Sequence, residues 1–503
     1  MKSIQLVSLV LSKDWKQYGN LACNANLLED LKDLEENGLQ IYKPVERIVK
    51  AGLALIVGDN LGQHMLSEMN CSFSSGYICR VCDAKYDDVC LNGLLYSGIN
   101  DDYQTTYITK DKYDECANLS IEIGRPSPES LGIKGHCVFN SLKSFHCIDQ
   151  CASCVGHDYF EGVFAYDVQH YLDFIIIKEK LISVEDFNQK LEKLKLSRRD
   201  AHNRPKKFKK GAKKYEGNAG SLRILSRYLT LILAPLLDTS LTGKYLIKLH
   251  ELGEIITAPV LTYHDIWETM ARIIREYLDL RVEAIECLGM CKARPKHHYL
   301  SHYPRAYMNA GPLINVWGMR MESKHTYFKG VIRVAKNFKN VPLTCATRHQ
   351  LSQISHHFNG LFPMVKVIIP DNAPTLDEIS PSLAPNLQQF LTSHDPSSLV
   401  PKFVTVFGTR YDVGKVLVLE VLDEGLFEVG VIKCILLVVN QVCFCVSVFE
   451  ASLSKYGYYV TTKFLSLLKS VRLIDIADYY PLKPIGNINA FSFALHHFIS
   501  RRT

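Results

Sequence analysis

The chain has 503 residues, 47% hydrophobic and 22% charged, a balance that excludes wholesale disorder, collagen-like repeats and a simple coiled coil. Its net charge of +6 is local, because residues 198–214 carry nine basic side chains and one acid. That run (Arg198, Arg199, Arg204, Lys206, Lys207, Lys209, Lys210, Lys213 and Lys214) reads as a solvated loop, a contact to the phosphates of DNA, or a nuclear-import patch.

Sixteen cysteines with no secretory opening point to a reducing compartment, where thiols serve as metal ligands or small core residues. Ten of them fall within residues 1–154, which favours a metal site there. The most membrane-like stretch, residues 429–448, is interrupted by Lys433, Asn440 and Gln441. It falls short of the roughly 20 apolar residues of a spanning helix. Two strands around a Val-Asn-Gln turn are expected instead, with no membrane partner.

In chain order, Ile4–Leu11 reads as a buried strand, residues 26–37 as a helix with Leu27, Leu28, Leu31 and Leu34 on one stripe, and Leu53–Val57 as a second buried strand. Residues 71–157 are loop-rich and hold the Cys and His cluster. Helical periodicity takes over at 163–180, 184–196, 222–237, 245–252 and 264–288, with a further helix from about Val316 to Lys336. Residues 366–400, with five prolines, read as a linker. Short β-branched runs after Pro401 predict a small all-β domain.

Five local features bear on chemistry. Asp59 follows a buried strand, where α/β folds place ligands and where a carboxylate suits Mg²⁺; a simple turn would look the same. Cys79-Arg-Val-Cys82 is a two-thiolate bite for one Zn²⁺. Its second pair is to be drawn from Cys71, Cys90, His136, Cys137, His146, Cys147, Cys151, Cys154 and His157. Cys154 and His157, three apart at a helix start, share a face, and Asp158 and Glu161 behind them complement the helix dipole. Glu322 begins a stripe with His325, Lys329, Arg333 and Lys336, either a metal-and-phosphate site or a solvated face. His298 and His302, four apart, are a weak metal motif on their own.

Together these segments resemble the transposases of CACTA (En/Spm-like) DNA transposons, of the animal type. The matching stretches are LALIVGDNLGQH (53–64), SFSSGYICRVC (72–82), GIKGHCVFNSLKSFHC (132–147) and CVGHDYFEGVFAYDV (154–168). They continue, in order, with RPKHHYLSHYP (294–304), GPLINVWGMRMESKHTYFK (311–329) and NFKNVPLTCATRHQ (337–350). The resemblance implies an RNase H-like α/β core, incomplete at its N-terminus, with a large helical insertion and a C-terminal small all-β domain. The domains would be 1–157 (core, first part, with a Cys/His zinc region at 71–157), 158–293 (helical insertion), 294–365 (core, last part), 366–400 (linker) and 401–503 (β-rich domain).

By the same resemblance Asp59 is the second catalytic Asp, Glu322 the final Glu, both Mg²⁺ ligands if active, and Cys154 and His157 the auxiliary Cys-x-x-His. The first catalytic Asp belongs to strands that would precede Met1. The expectation is therefore a truncated, transposon-derived, DDE transposase-like protein that binds DNA, keeps a structural zinc, is catalytically deficient and is nuclear. The alternative is a domesticated, non-catalytic scaffold on the same fold. Homo-oligomers and a protein partner for the β-rich domain are further expectations.

Overall fold

The structure is a computed structural model describing residues 6–42, 44–93, 105–237, 240–358, 367–438, 441–487 and 490–501. Ile4 and Gln5 of the expected first strand, and the Arg199 side chain, lie outside the described residues. The chain divides into two compact units. One comprises residues 1–177, 211–222 and 266–362, the other 178–210, 223–265 and 363–503. The helical insertion expected at 158–293 is thus shared between them.

In the first unit the opening strand is absent from residues 6–11. Residues 6–11 have no strand pairing and Leu11 is the N-cap of a helix, Ser12–Glu36, kinked at Gly19. An apolar run becomes a strand only when a neighbouring strand takes its hydrogen bonds, and Leu9, Val10 and Leu11 remain exposed. The helix includes the predicted 26–37 stripe and buries Leu28 against Tyr113, Phe139 and Phe145. Strands β1 (Leu39–Ile41) and β2 (Arg47–Val49) form a short antiparallel hairpin. The second expected strand is reduced to β3 (Ile56–Val57), which pairs in parallel with β4 (Cys151–Ala152). Among the described residues, the expected core sheet amounts to this pair.

Helices supply the rest of this unit. Lys110–Ile123 starts on the Thr109 hydroxyl, which accepts the Lys112 N–H, and ends at Gly124 with φ of 76°, a left-handed stop that suits glycine. Ala165–Asp173 and Ala271–Leu288 are joined by a buried polar network. Asp167 accepts from Tyr277 Oη at 2.5 Å and Arg281 Nε at 3.1 Å, and lies 3.3 Å from His297 Nε2. Arg281 also donates to the carbonyls of Cys291 and Lys292.

The second unit combines helices, among them Val184–Lys193 and Leu241–Ile256, with the β-structure of its C-terminal part. Strand β5 (Val367–Ile368) pairs with β6 (Phe403–Val406), and β6 with β7 (Thr409–Asp412). A six-stranded antiparallel sheet follows the order β12-β13-β11-β10-β9-β8. It uses β8 (Val416–Asp423), β9 (Leu426–Val438), β10 (Gln441–Leu453), β11 (Tyr459–Arg472), β12 (Ile485–Asn487) and β13 (Ala490–Phe493). The membrane-like stretch is the β9–β10 pair, with Val438 opposite Gln441, as its interruptions predicted; Asn440 itself lies outside the described residues. Residues expected as a linker contain the helices Leu376–Ile379 and Pro385–Leu391, and Leu376, Leu391 and Val400 pack on Cys434, Leu436 and Cys445. Among the described residues no helix is long and apolar enough to cross a membrane.

Candidate functional site

The CxxC motif sits on a tight knuckle. Tyr77 and Lys85 bridge in antiparallel fashion, the Ile78 N–H donates to Ala84 O at 3.0 Å, and the Val81 N–H points at Cys79 Sγ at 3.4 Å. This turn directs both thiols inward. Facing them are His298, from the helix Pro295–Leu300, and His302, the N-cap of Tyr303–Ala310. Cys82 Sγ lies 3.1 Å from His298 Nε2 and 3.4 Å from His302 Nε2, and the two Nε2 atoms are 3.1 Å apart. All four residues are buried, with their ligand atoms within 4.8 Å of one another.

This cluster can hold a metal ion. A tetrahedral ion with bonds of about 2.0–2.3 Å separates its ligand atoms by roughly 3.3–3.8 Å, close to the distances observed. Two imidazole nitrogens turned toward each other in a buried pocket are also what a central cation would satisfy. Burial lowers the His302 pKa, keeping the imidazole neutral as a ligand must be. Burial opposes ionisation of Cys79, but Cys82 and the two histidines outweigh it and hold Cys79 well below the ordinary thiol range. Burial and its neighbour Cys79 push Cys82 up.

The second pair is expected among residues 71–157, whereas the structure brings His298 and His302 to the two thiols. The nearby candidates have other neighbours. Cys137 and Cys147 interact with each other, His136 Nε2 lies 2.9 Å from Asn118 Oδ1, His146 Nε2 lies 3.1 Å from Asn140 Nδ2, and Cys151 Sγ is 3.5 Å from Ser67 Oγ. The H-x-x-x-H spacing of His298 and His302 is the signal in the sequence that points to them.

The other sequence motifs gather at the carboxyl edge of the parallel strands. Val57 pairs with Ala152, so Asp59 and Cys154 each stand two residues beyond paired positions on adjacent strands. Cys154 Sγ lies 3.0 Å from His157 Nδ1 and accepts the Gly318 N–H at 3.2 Å. His157 Nε2 forms an ion pair with Glu322 Oε1, from the helix Met319–Ala335. The neighbouring Cys154 thiol, acting against burial and helped by Glu322 and Glu161, raises the His157 pKa from 6.5 to about 9. Close packing permits this: a side chain at Gly156 would place its Cβ 2.8 Å from Met319 Cε, and one at Gly162 would meet Lys296 Cδ.

The two sites are tied together. Arg80, inside the CxxC, donates to Asn60 Oδ1 at 2.7 Å and to Ser153 Oγ at 3.4 Å, the neighbours of Asp59 and Cys154. Asn60 in turn donates to the buried Asp158. Lys296, two residues before His298, donates to the His157 carbonyl at 2.7 Å.

Asp59 itself is exposed and caps the helix Asn60–Leu66, accepting the Gly62 N–H at 2.6 Å. Glu161 accepts the Ala219 N–H at 2.8 Å, so it also serves as a cap. Among the described residues, Asp59 and Glu322 belong to no group of three ligands able to share an ion. Mg²⁺ prefers several hard oxygens, and this arrangement, with Glu322 engaged by His157, does not fit it.

The basic segment is partly used internally. Arg204 donates to the carbonyls of Leu191, Glu192 and Leu194, Lys207 pairs with Glu192 at 2.7 Å, and Lys214 donates to Glu161 O at 3.3 Å. Arg198, Lys206, Lys209, Lys210 and Lys213 are exposed. Compared with known proteins, the chain matches no family model and no curated protein.

Proposed function

We propose that this chain is a transposon-derived, DNA-binding protein of the DDE transposase type, with a structural zinc and without strand-transfer activity of its own. The observation that carries the reading is the convergence of Asp59, Cys154, His157 and Glu322, four residues from three distant motifs, at one edge of a parallel strand pair. Such an edge is where α/β proteins put ligands and reacting groups. The ordered motif resemblance to CACTA transposases supports the same reading. The Cys79, Cys82, His298 and His302 donor set is two thiolates and two imidazoles, which favours Zn²⁺ over hard cations.

The absence of strand transfer rests on the acids. Two-metal phosphoryl transfer needs carboxylates that clamp both the attacking and the leaving oxygen, whereas Asp59 is a helix cap and Glu322 is paired with His157. The test is incubation of the full chain with labelled duplex DNA in Mg²⁺ or Mn²⁺. The expected outcome is salt-sensitive binding without cleavage. Cleavage lost in Asp59→Asn and Glu322→Gln would establish an active enzyme, and failure to bind duplex at low salt would remove DNA from the account.

A scaffold role is favoured by one feature, the outer edge of β11. Among the described residues, Tyr459 and Val460 of this strand pair with β13, and Phe464, Leu465 and Leu467 further along are exposed. Such an edge can accept a strand from a protein partner or a second copy. Nuclear residence follows from the DNA-binding role and the 198–214 segment, and replacing Lys206, Lys207, Lys209 and Lys210 should release a fluorescently tagged chain to the cytoplasm.

A further inference from the structure

A second basic surface lies outside the 198–214 segment. Residues 319–358 form two helices, Met319–Ala335 and Val341–Phe358, with seven Lys or Arg and a single acid, Glu322. The hairpin is packed from within. Tyr327 Oη donates to Arg348 O at 3.2 Å, the buried His349 ring packs against Tyr327 and Phe328, and Lys324 is buried with its ammonium over the Tyr327 ring. That packing fixes which way the other cations face.

Arg320, Lys329, Arg333, Lys336, Lys339 and Arg348 are all exposed. Lys329, Arg333 and Lys336 follow Glu322 and His325 at helical spacing, so they share its face. Lys329 to Lys336 spans about 10.5 Å of helix axis at 1.5 Å per residue, enough to meet more than one phosphate along a nucleic-acid strand. Complementing the helix dipole would explain a cation or two in the last turn. It does not explain a set that continues into the connection at Lys339 and onto the second helix at Arg348 with no acid interspersed. Exposed apolar residues flank the stripe: Met321 and Val334 lie about 100° and about 120° round the first helix from Glu322, Phe338 is in the connection, and Leu343, Leu351, Ile354 and Phe358 are on the second helix. A membrane-surface helix presents cations and apolar groups together, so the vesicle measurement below decides between the two surfaces.

We propose that the 319–348 hairpin is a nucleic-acid-backbone binding surface, on which Lys329, Arg333, Lys336 and Lys339 contact successive phosphates of a duplex. This rests on the DNA-binding reading above and deepens it by assigning the contact to a different surface. The stripe begins at Glu322, so a duplex on it leads toward the Cys154–His157–Glu322 edge.

The test measures binding of the full chain to a fluorescein-labelled 30-base-pair duplex by anisotropy across a series of KCl concentrations. One variant carries Lys329→Gln, Arg333→Gln, Lys336→Gln and Lys339→Gln; a second carries Lys206→Ser, Lys207→Ser, Lys209→Ser and Lys210→Ser. Each lost phosphate contact should reduce the log–log salt slope by about 0.9. The hairpin variant is therefore expected to lose about 3–4 from the slope and at least tenfold in affinity at 100 mM KCl. Its circular dichroism and melting should match the wild type, because all four side chains are exposed. A hairpin variant with wild-type slope and affinity overturns the proposal, and leaves the DNA-binding reading standing if the loop variant is the one weakened. A wild type that ignores the duplex defeats the reading itself, and one that instead binds phosphatidylserine vesicles assigns the hairpin to a membrane surface and overturns the proposal.

Discussion

Four consecutive side chains illustrate how much chemistry a short segment can position. Lys296 holds the His157 carbonyl, His297 meets Asp167, His298 turns into the thiol cluster, and Tyr299 Oη donates to Ile78 O at 2.5 Å. The buried Asp167 is the shared partner of Tyr277, Arg281 and His297. Asp167→Ala leaves the Arg281 guanidinium buried without its carboxylate, and should destabilise the unit by about 3–5 kcal/mol, read as a lower urea midpoint. His157 gives a pH prediction. Its raised folded pKa means that its contribution to stability is fully present below about 6.5 and is lost as pH rises through about 9. Ring-proton NMR should report titration near that upper value, and Cys154→Ala should bring it down. A His157 titrating near 6.5 in the wild type would contradict the contact geometry.

Elements were legible to the extent that their signals are local. The helix Lys110–Ile123 lies in a stretch expected to be loop-rich, although Thr109 and Gly124 cap its ends, whereas the alternation of short β-branched runs after Pro401 predicts the C-terminal strands. The opening residues 6–11 misled because an apolar run without periodicity does not reveal whether it has a strand partner. Prolines at 366–400 misled differently: Pro381 and Pro385 sit in the first turns of short helices, where a missing N–H costs nothing. In the β9–β10 pair, Gly430 is fixed by close approach. A Cβ there would lie 2.8 Å from Val446 Cγ2, so Gly430→Ala should overpack the sheet and destabilise it by about 1–3 kcal/mol. An unchanged thermal midpoint would mean that Val446 simply yields.

At the scale of the whole molecule, the informative fact is separation. Cys79 and Cys82 could be read as half a metal site from three residues of spacing, and His298 and His302 as a pair from four. Nothing in the periodicity of the sequence joins them, because Cys82 and His298 are 216 positions apart and meet only through the packing of the helix Pro295–Leu300 on the knuckle. A metal at that junction would join the first motif of the carboxylate edge, through Arg80 and Asn60, to the segment that carries Lys296. Stripping it with a chelator should therefore lower the melting temperature and loosen both sites together, with faster amide exchange at His157 as well as at Cys82.

The most direct test of that claim is zinc-edge X-ray absorption on the purified chain, with metal content measured alongside. The expected result is about one Zn²⁺ per chain, held by two sulfurs at about 2.3 Å and two nitrogens at about 2.0–2.1 Å, and lost in His298→Ala/His302→Ala as completely as in Cys79→Ser/Cys82→Ser. A fully folded wild type without metal, or a zinc shell that survives the double histidine replacement, would contradict it.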